Sequence, residues 1–387
     1  MILMGGDFIE NVFRVLGGGN SIGTSCYYLQ VDNCSFLLDC GASVYHEPYL
    51  PNLQAITKYY LDGIWQLDKV IISHAHFDHF GALPYLLKGD YNLDIICNPI
   101  TKQMIEFQLK AFNNWDNKFT SLSQRQQYEL QKERCLMMLK PLPFRQEYKT
   151  KDYKITLFPA GHMPGASMIY IETAKHNILY TGDFSKQSDL LCGKYSLPEN
   201  LPVDILIIEG THAYGQKSAG STQGYNSIAK LANSKLIYGP VTIETSHITK
   251  GIELARFLER YMQNERIDLP TIYLDKVMFP IVETFEQMNF QIYSKHIQPL
   301  INDNCIGNDI VIKRKGEGKT WGTVLNGNAF TLHAPSYEIA TLINRLQPTT
   351  TLIVHATPQG VDNIGTQLNI GDKCYLQTVD NKEYVFK

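Results

Sequence analysis

Ile71–Leu86 reads IISHAHFDHFGALPYL: an apolar strand runs straight into His74-Ala75-His76-Phe77-Asp78-His79, and a helix-like segment follows. Four potential metal ligands within one short loop, at a strand-to-helix junction, do not make a hydrophobic-core pattern. Imidazole nitrogen and carboxylate oxygen are the donors that suit zinc, iron or manganese. The loop can aim His74 and His76 at one point and Asp78 and His79 at another a few ångströms away, which is the geometry of a two-metal site. The bland alternative is a polar surface loop with chance histidines. It fares poorly, because the 387 residues contain only 11 histidines.

Outward from this stretch, further candidates sit just past other apolar strands. Asp39 ends SFLLD, His162 follows Ile155–Phe158, and Asp183 follows Ile178–Leu179. Glu209 ends DILIIE and His355 ends TLIVH. Each alone would pass for an ordinary loop residue. Together they describe strands that each deliver one polar group to one edge of a sheet, where layered α/β folds build their sites. The patterning predicts strands at Cys26–Val31 and Ser35–Leu38 around a turn at Asp32–Asn33, and at Lys69–Ile72, Lys154–Phe158, Met168–Ile171, Ile178–Tyr180, Ile205–Ile208 and Thr351–Val354. Helical periodicity predicts Gly251–Gln263 and Ser336–Leu346, with Ile339, Leu342, Ile343 and Leu346 on one face. Residues 101–140 read as polar helix. Strands and helices in both halves favour an α/β layered fold.

Composition bounds the function. Lys plus Arg is 35 and Asp plus Glu is 38, so the net charge of −3 excludes a histone-like polycation but not a local basic groove. Residues 101–150 carry nine Lys/Arg against five Asp/Glu, read here as a solvated helical face rather than a substrate patch. No apolar run approaches the ~18 residues of a spanning helix. The start of the chain does not read as a secretory signal. Eight cysteines lie scattered with no Cys-x-x-Cys pair, so reduced thiols and a cytoplasmic location are expected. The basic, Gly-rich run Lys313–Lys319 reads as a hairpin tip and a solvated turn. His46, His176, His212, His247 and His296 have no motif context, and His212 and His247 are the two placed nearest the cleft.

These residues resemble the metallo-β-lactamase superfamily and, within it, the β-CASP nucleases. The H-x-H-x-D-H signature stands at His74–His79, and AGHMPGASMI (Ala160–Ile169) resembles that group's A-G-H-x-x-G-A motif. LYTGDFSKQSD (Leu179–Asp189), VDILIIEGT (Val203–Thr211) and the opening segment Gly17–Gly41 resemble the cleavage-and-polyadenylation endonuclease group. Thr331–Ala356 resembles the group's closing segment. The resemblance implies an αββα four-layer sandwich from residues 1–212 and 330–387. A small β-CASP-like cap at 213–329 would be inserted between them. It departs from the group at the cap, which is short, and at Thr249-Lys250-Gly251-Ile252-Glu253, where Lys250 stands for the usual Arg.

Carried over by motif, the resemblance implies a dinuclear centre of two Zn2+ ions, with Mn2+ as the alternative metal. His74, His76 and His162 would bind one ion, Asp78, His79 and His355 the other, and Asp183 would bridge them. Asp39 would orient ligands from behind. Glu209 would orient His333, and His333 would protonate the leaving oxygen. The implied activity is a zinc-dependent phosphodiester hydrolase, a ribonuclease using a metal-bridged hydroxide, with RNA as partner. Two rival readings stand beside it: a metallohydrolase of a small phosphodiester or other small substrate, and a non-catalytic RNA-binding scaffold.

Overall fold

The structure is a computed structural model that describes residues 11–43, 47–87, 92–111, 121–186, 191–213, 221–265, 269–301, 307–328, 332–368 and 375–386. Three sheets organise it. The first contains β1 (Asn11–Gly17), β2 (Cys26–Val31), β3 (Cys34–Leu38), β4 (Lys69–Ile71), β5 (Ile95–Cys97), β6 (Leu139–Pro141) and, at its far edge beside β1, β19 (Glu383–Phe386). The second runs from β7 (Glu147–Lys149) through β8 (Lys154–Pro159), β9 (Ser167–Glu172), β10 (Asn177–Tyr180) and β11 (Ile205–Gly210) to β17 (Thr350–Ala356) and β18 (Tyr375–Gln377). Both sheets change from antiparallel hairpins to parallel pairing along their width.

The turn at Asp32 and Asn33 has φ of 49° and 66°, the doubly left-handed turn that closes a two-residue hairpin between β2 and β3. Alternate residues of the strands then separate into two cores. Phe13, Tyr27, Phe36 and Ile71 of the first sheet meet Ile155, Ile171, Ile207 and Val354 of the second in a buried layer between the sheets. The opposite faces, with Tyr28, Val70, Leu179 and Ile208, pack under helices. Those helices are α1 (Gln54–Tyr59), α2 (Phe77–Phe80), α3 (Leu83–Leu86), α4 (Pro99–Ala111) and α5 (Leu122–Met138), then α9 (Ser336–Leu346) and α10 (Pro358–Gln367). The molecule is an α/β layered structure with a four-layer sandwich.

The third sheet is all parallel, in the order β14 (Ile297–Pro299), β13 (Ile272–Leu274), β15 (Ile310–Arg314), β12 (Val241–Thr245), β16 (Thr323–Asn326). Helices α6 (Ser221–Lys235), α7 (Ile248–Glu265) and α8 (Phe279–Gln287) accompany it. The hairpin expected at Lys313–Lys319 does not form, because β15 and β16 flank β12 and never pair with each other. Nor is Lys313 solvated: its Nζ is buried and donates to the Glu317 and Gly318 carbonyls. A run of charge reads as surface until the chain supplies carbonyls to receive it.

Candidate metal centre

The loop after β4 is held from below by backbone hydrogen bonds. Ser25 N donates to Asp78 O at 2.8 Å, Cys40 N to His79 O at 2.8 Å and Ala42 N to Phe77 O at 3.1 Å. Gly41 makes this approach possible, since a Cβ there would stand 1.7 Å from Asp78 O. His74 and His76 therefore leave the strand end in extended chain, while Asp78 and His79 sit on the short helix α2.

Three imidazole nitrogens converge on the first point. His76 Nδ1 lies 3.1 Å from His74 Nε2 and 3.0 Å from His162 Nε2. Both Nε2 atoms are 3.7–3.8 Å from Asp183 Oδ2. The far nitrogens of two of the rings are engaged: His162 Nδ1 donates to the Leu332 carbonyl at 2.8 Å, and Ser73 Oγ meets His74 Nδ1 at 3.0 Å. With its proton on Nδ1, neutral His162 presents a lone pair to the centre. Burial keeps it neutral, holding its pKa down to about 4, and likewise holds His74 and His76 well below the usual histidine range.

The second point gathers Asp78, His79 and His355, with ligand atoms within 4.8 Å of one another. Asp183 reaches it as well, with Oδ2 3.4 Å from His79 Nε2 and Oδ1 3.1 Å from His355 Nδ1. Asp39 supports it from behind. Its carboxylate accepts from Ser73 N at 2.7 Å and Tyr180 Oη at 2.6 Å, and Oδ2 holds His79 Nδ1 at 2.8 Å. Burial opposes charge on His79, but Asp183, Asp78 and Asp39 outweigh it and raise its pKa well above the ordinary value. The same contest carries His355 up to about 9, Asp183 being the main charge acting against burial.

A β-bulge aims His355. Glu209 pairs with Val354 and Gly210 with Ala356, so His355 has no partner across the ladder. Its N–H donates instead to Gly18 O at 2.7 Å, and its φ of 50° is left-handed. A bulge of this kind redirects one side chain out of the strand's alternation. Asp39, just past the end of β3, is left-handed as well, with φ 57°.

Glu209 and His333 form a third group around Asp183. His333 Nδ1 is 3.1 Å from Glu209 Oε2 and 3.6 Å from Asp183 Oδ2. Burial, then the Asp183 charge, pushes Glu209 up to about 7, and burial holds His333 down to about 4. All ten residues singled out by motif or strand-end position thus meet in one place. The structure adds two histidines that spacing did not assign: His212 stacks on the His333 ring at 5.0 Å, and the His247 ring lies 5.3 Å from that of His76. The sequence places both near the cleft, but neither falls within a ligand motif. His46 lies outside the described residues. The cavity over the centre has a volume of about 780 Å³.

The donor set suits transition-metal ions. Tetrahedral nitrogens at zinc distances are spaced about 3.3–3.4 Å apart, close to the observed histidine separations. Three buried imidazoles whose charged forms burial disfavours aim nitrogens at one point about 3 Å apart, an arrangement that a cation between them would satisfy.

Residues 28–203 match the metallo-β-lactamase superfamily domain, so the chain contains a domain of that superfamily. Among curated relatives, it is 30% identical over 208 residues to endoribonuclease YSH1 of Gibberella zeae, a match covering 52% of this chain and 24% of that one. It is 30% identical over 272 residues to the probable RNase MJ4 of Methanocaldococcus jannaschii, covering 69% of this chain and 59% of the other. With the cleavage and polyadenylation specificity factor 73 of Drosophila melanogaster the identity is 28%, covering 70% and 40%. The chain thus spans about a quarter of the fungal relative's length and under two thirds of the archaeal one's. In fold it is similar to the crystal structure of a protein of unknown function from Enterococcus faecalis V583, with a TM-score of 0.62 at 13% identity, covering 97% of this chain and 100% of that chain.

Proposed function

We propose that the protein is a zinc-dependent phosphodiesterase that cleaves RNA. The observation that carries this is the pair of adjoining donor sets that share Asp183, with the His333–Glu209 dyad beside them. The named activities of the relatives agree with it. When bound, two such ions supply a nucleophile at neutral pH and neutralise charge on a phosphoryl group. His74, His76 and His162 would hold one, Asp78, His79 and His355 the other, and Asp183 both.

The chain's own residues do the rest. Asp39 fixes the His79 ring through Nδ1 so that Nε2 faces the centre. Glu209 is a positioning residue: it fixes the His333 ring through Nδ1, which leaves Nε2 to face the cleft. A proton on that Nε2 passes to the departing 3′-oxygen, while Glu209 stabilises or supplies the proton at Nδ1. The working division of the chain is a sandwich of 1–212 and 330–387 with the third-sheet unit, 213–329, forming the cleft's other wall. The six described cysteines are free thiols, which supports a cytoplasmic setting. Among the described residues no helix is long and apolar enough to cross a membrane.

One observation keeps a second reading. About 780 Å³ falls within the usual size of a small-molecule site, which suits a small phosphodiester. The test is cleavage of single-stranded RNA by metal-replete and chelated protein, beside an activated small diester. Chelator-sensitive, zinc-restored RNA cleavage is expected. Turnover of the diester alone would overturn the RNA assignment, and turnover of neither would overturn the hydrolase.

A further inference from the structure

The hydrogen bonds behind the ligands can be assigned proton by proton. Asp39 Oδ2 lies 2.7 Å from Ser73 Oγ, 2.6 Å from Tyr180 Oη and 2.8 Å from His79 Nδ1. An ionised carboxylate oxygen has no proton to give, so all three neighbours donate to it. That spends the single proton of the Ser73 hydroxyl. Ser73 Oγ also lies 3.0 Å from His74 Nδ1, and there it can only accept, from an Nδ1–H. His74 and His79 thus both point an Nδ1 proton away from the centre. Each keeps for a metal the Nε2 that faces Asp183 Oδ2, at 3.7 and 3.4 Å. All five side chains are buried, and the two imidazoles belong to different donor sets. Asp39 and Ser73 follow strands of the first sheet, while Tyr180 reaches Asp39 from β10 of the second.

Asp183 joins the two sets from the front. The path from His74 through Ser73 and Asp39 to His79 joins them from behind. A hydrogen-bond partner of a ligating histidine fixes its ring and raises its basicity. Here one carboxylate does this for a ring of each set, directly for His79 and through the serine hydroxyl for His74. We propose that Ser73 and Tyr180 are positioning residues that complete a second bridge between the two metal sets, so that loosening the bridge at any point weakens both sites. The Tyr180 hydroxyl bonds Asp39 alone, so any effect it has on His74 passes through Ser73. The inference rests on the dinuclear reading.

The experiment titrates metal-free protein with Zn2+ against a competing chelator, giving two stepwise dissociation constants. It compares the wild type, Tyr180→Phe, Ser73→Ala and the double variant. Tyr170→Phe is the control, since that buried tyrosine donates to the Pro202 carbonyl, outside the network. Loss of an outer partner of a metal-ligating histidine costs about ten- to a hundredfold in metal affinity. Tyr180→Phe and Ser73→Ala should each weaken both steps by about that much, and Tyr170→Phe neither. With Ser73 already replaced, Tyr180→Phe should weaken only one step further, the one made by the His79 set. In the zinc-loaded wild type, 15N spectra should show the Nδ1 protons of His74 and His79 protected from exchange with water, and Tyr180→Phe should speed the exchange of both. A Tyr180→Phe loss confined to one step while Ser73 is intact, or an equal loss in Tyr170→Phe, would overturn the bridge. Wild type that binds two zinc ions with every variant unimpaired sinks the bridge alone. Wild type that binds fewer than two sinks the dinuclear reading and the bridge with it. Should Ser73→Ala not fold, the Tyr180→Phe affinities and exchange rates carry the comparison.

Discussion

Asp183 is the residue on which the centre turns, because its two oxygens face different donor sets. Oδ2 lies 3.4–3.8 Å from His74, His79 and His162, and Oδ1 lies 3.1 Å from His355 Nδ1. Asp183→Ala should therefore cost more metal than the loss of any one histidine, taking the stoichiometry from roughly two per chain to below one. Metal analysis after zinc repletion decides it, and two retained ions would remove the bridge. His333 behaves oppositely. It contacts Asp183 and Glu209 but neither set depends on it. His333→Ala should keep its metal and lose about a hundred- to ten-thousandfold in RNA cleavage, the usual worth of a general acid. A nitrophenyl diester, whose leaving group needs no proton, should suffer less. Glu209→Gln should give a milder loss in the same direction. Metal loss in His333→Ala, or equal damage on both substrates, would make His333 a ligand or a packing residue.

At the scale of elements, the centre depends on how tightly the β4–α2 loop lies on the segment that follows β3, Cys40 to Ala42. Gly41→Ala places a Cβ 1.7 Å from the Asp78 carbonyl, so the loop must move by an ångström or more. A displacement of that size at a reacting centre costs about a hundredfold, and weakened metal binding should accompany it; an unaffected variant would show the loop to be adaptable. The hairpin turns of the two sheets are tied together by Asp32. Its Oδ2 accepts from Thr173 Oγ1 at 2.7 Å, Lys175 N at 2.8 Å and His176 Nδ1 at 3.1 Å. Burial would raise its pKa, but these donors lower it below the usual carboxylate value. A lowered folded pKa gives stability that is present above the unfolded value near ~3.9 and is lost as pH falls through the folded one. Asp32→Asn keeps the left-handed turn and removes the charge. It should cost about 1 kcal/mol at neutral pH, with the gap to wild type closing in acid; a constant gap in urea titrations would refute the linkage. These elements also show why some features could be read from sequence and others not. β3, β8, β10, β11 and β17 are apolar runs that end in or lead to Asp39, His162, Asp183, Glu209 and His355, so composition reveals both strand and candidate site residue. The bulge that turns His355 inward depends on a strand over a hundred residues away. His247 lies between β12 and α7 of the third-sheet unit, and no ligand motif covers it.

For the whole molecule, the decisive fact is which sheets supply the ligands. His74 and His76 follow a strand of the first sheet and His162 and Asp183 follow strands of the second, so the first set spans the sandwich. The second set repeats this, with Asp78 and His79 from one sheet and His355 from the other. Bound ions would pin the two sheets together along one edge and occupy a pocket of mutually facing lone pairs. Unfolding scatters these donors along nearly three hundred residues of chain, so the metals bind the folded state far better than the unfolded one. Mass action then stabilises the fold by about 2.7 kcal/mol at a free-metal concentration one hundred times Kd, and about 4.1 kcal/mol at a thousand times. Chelation should lower Tm by several degrees, and zinc should restore it. Amide exchange should accelerate after chelation at the ends of β4, β10 and β17 together, since losing a shared clamp frees both sheets. Asp183→Ala should have a low Tm that chelator no longer moves, while His333→Ala should respond as the wild type does. A chelator-insensitive wild type, or exchange confined to one sheet, would mean that the donors do not act as a clamp across the sandwich.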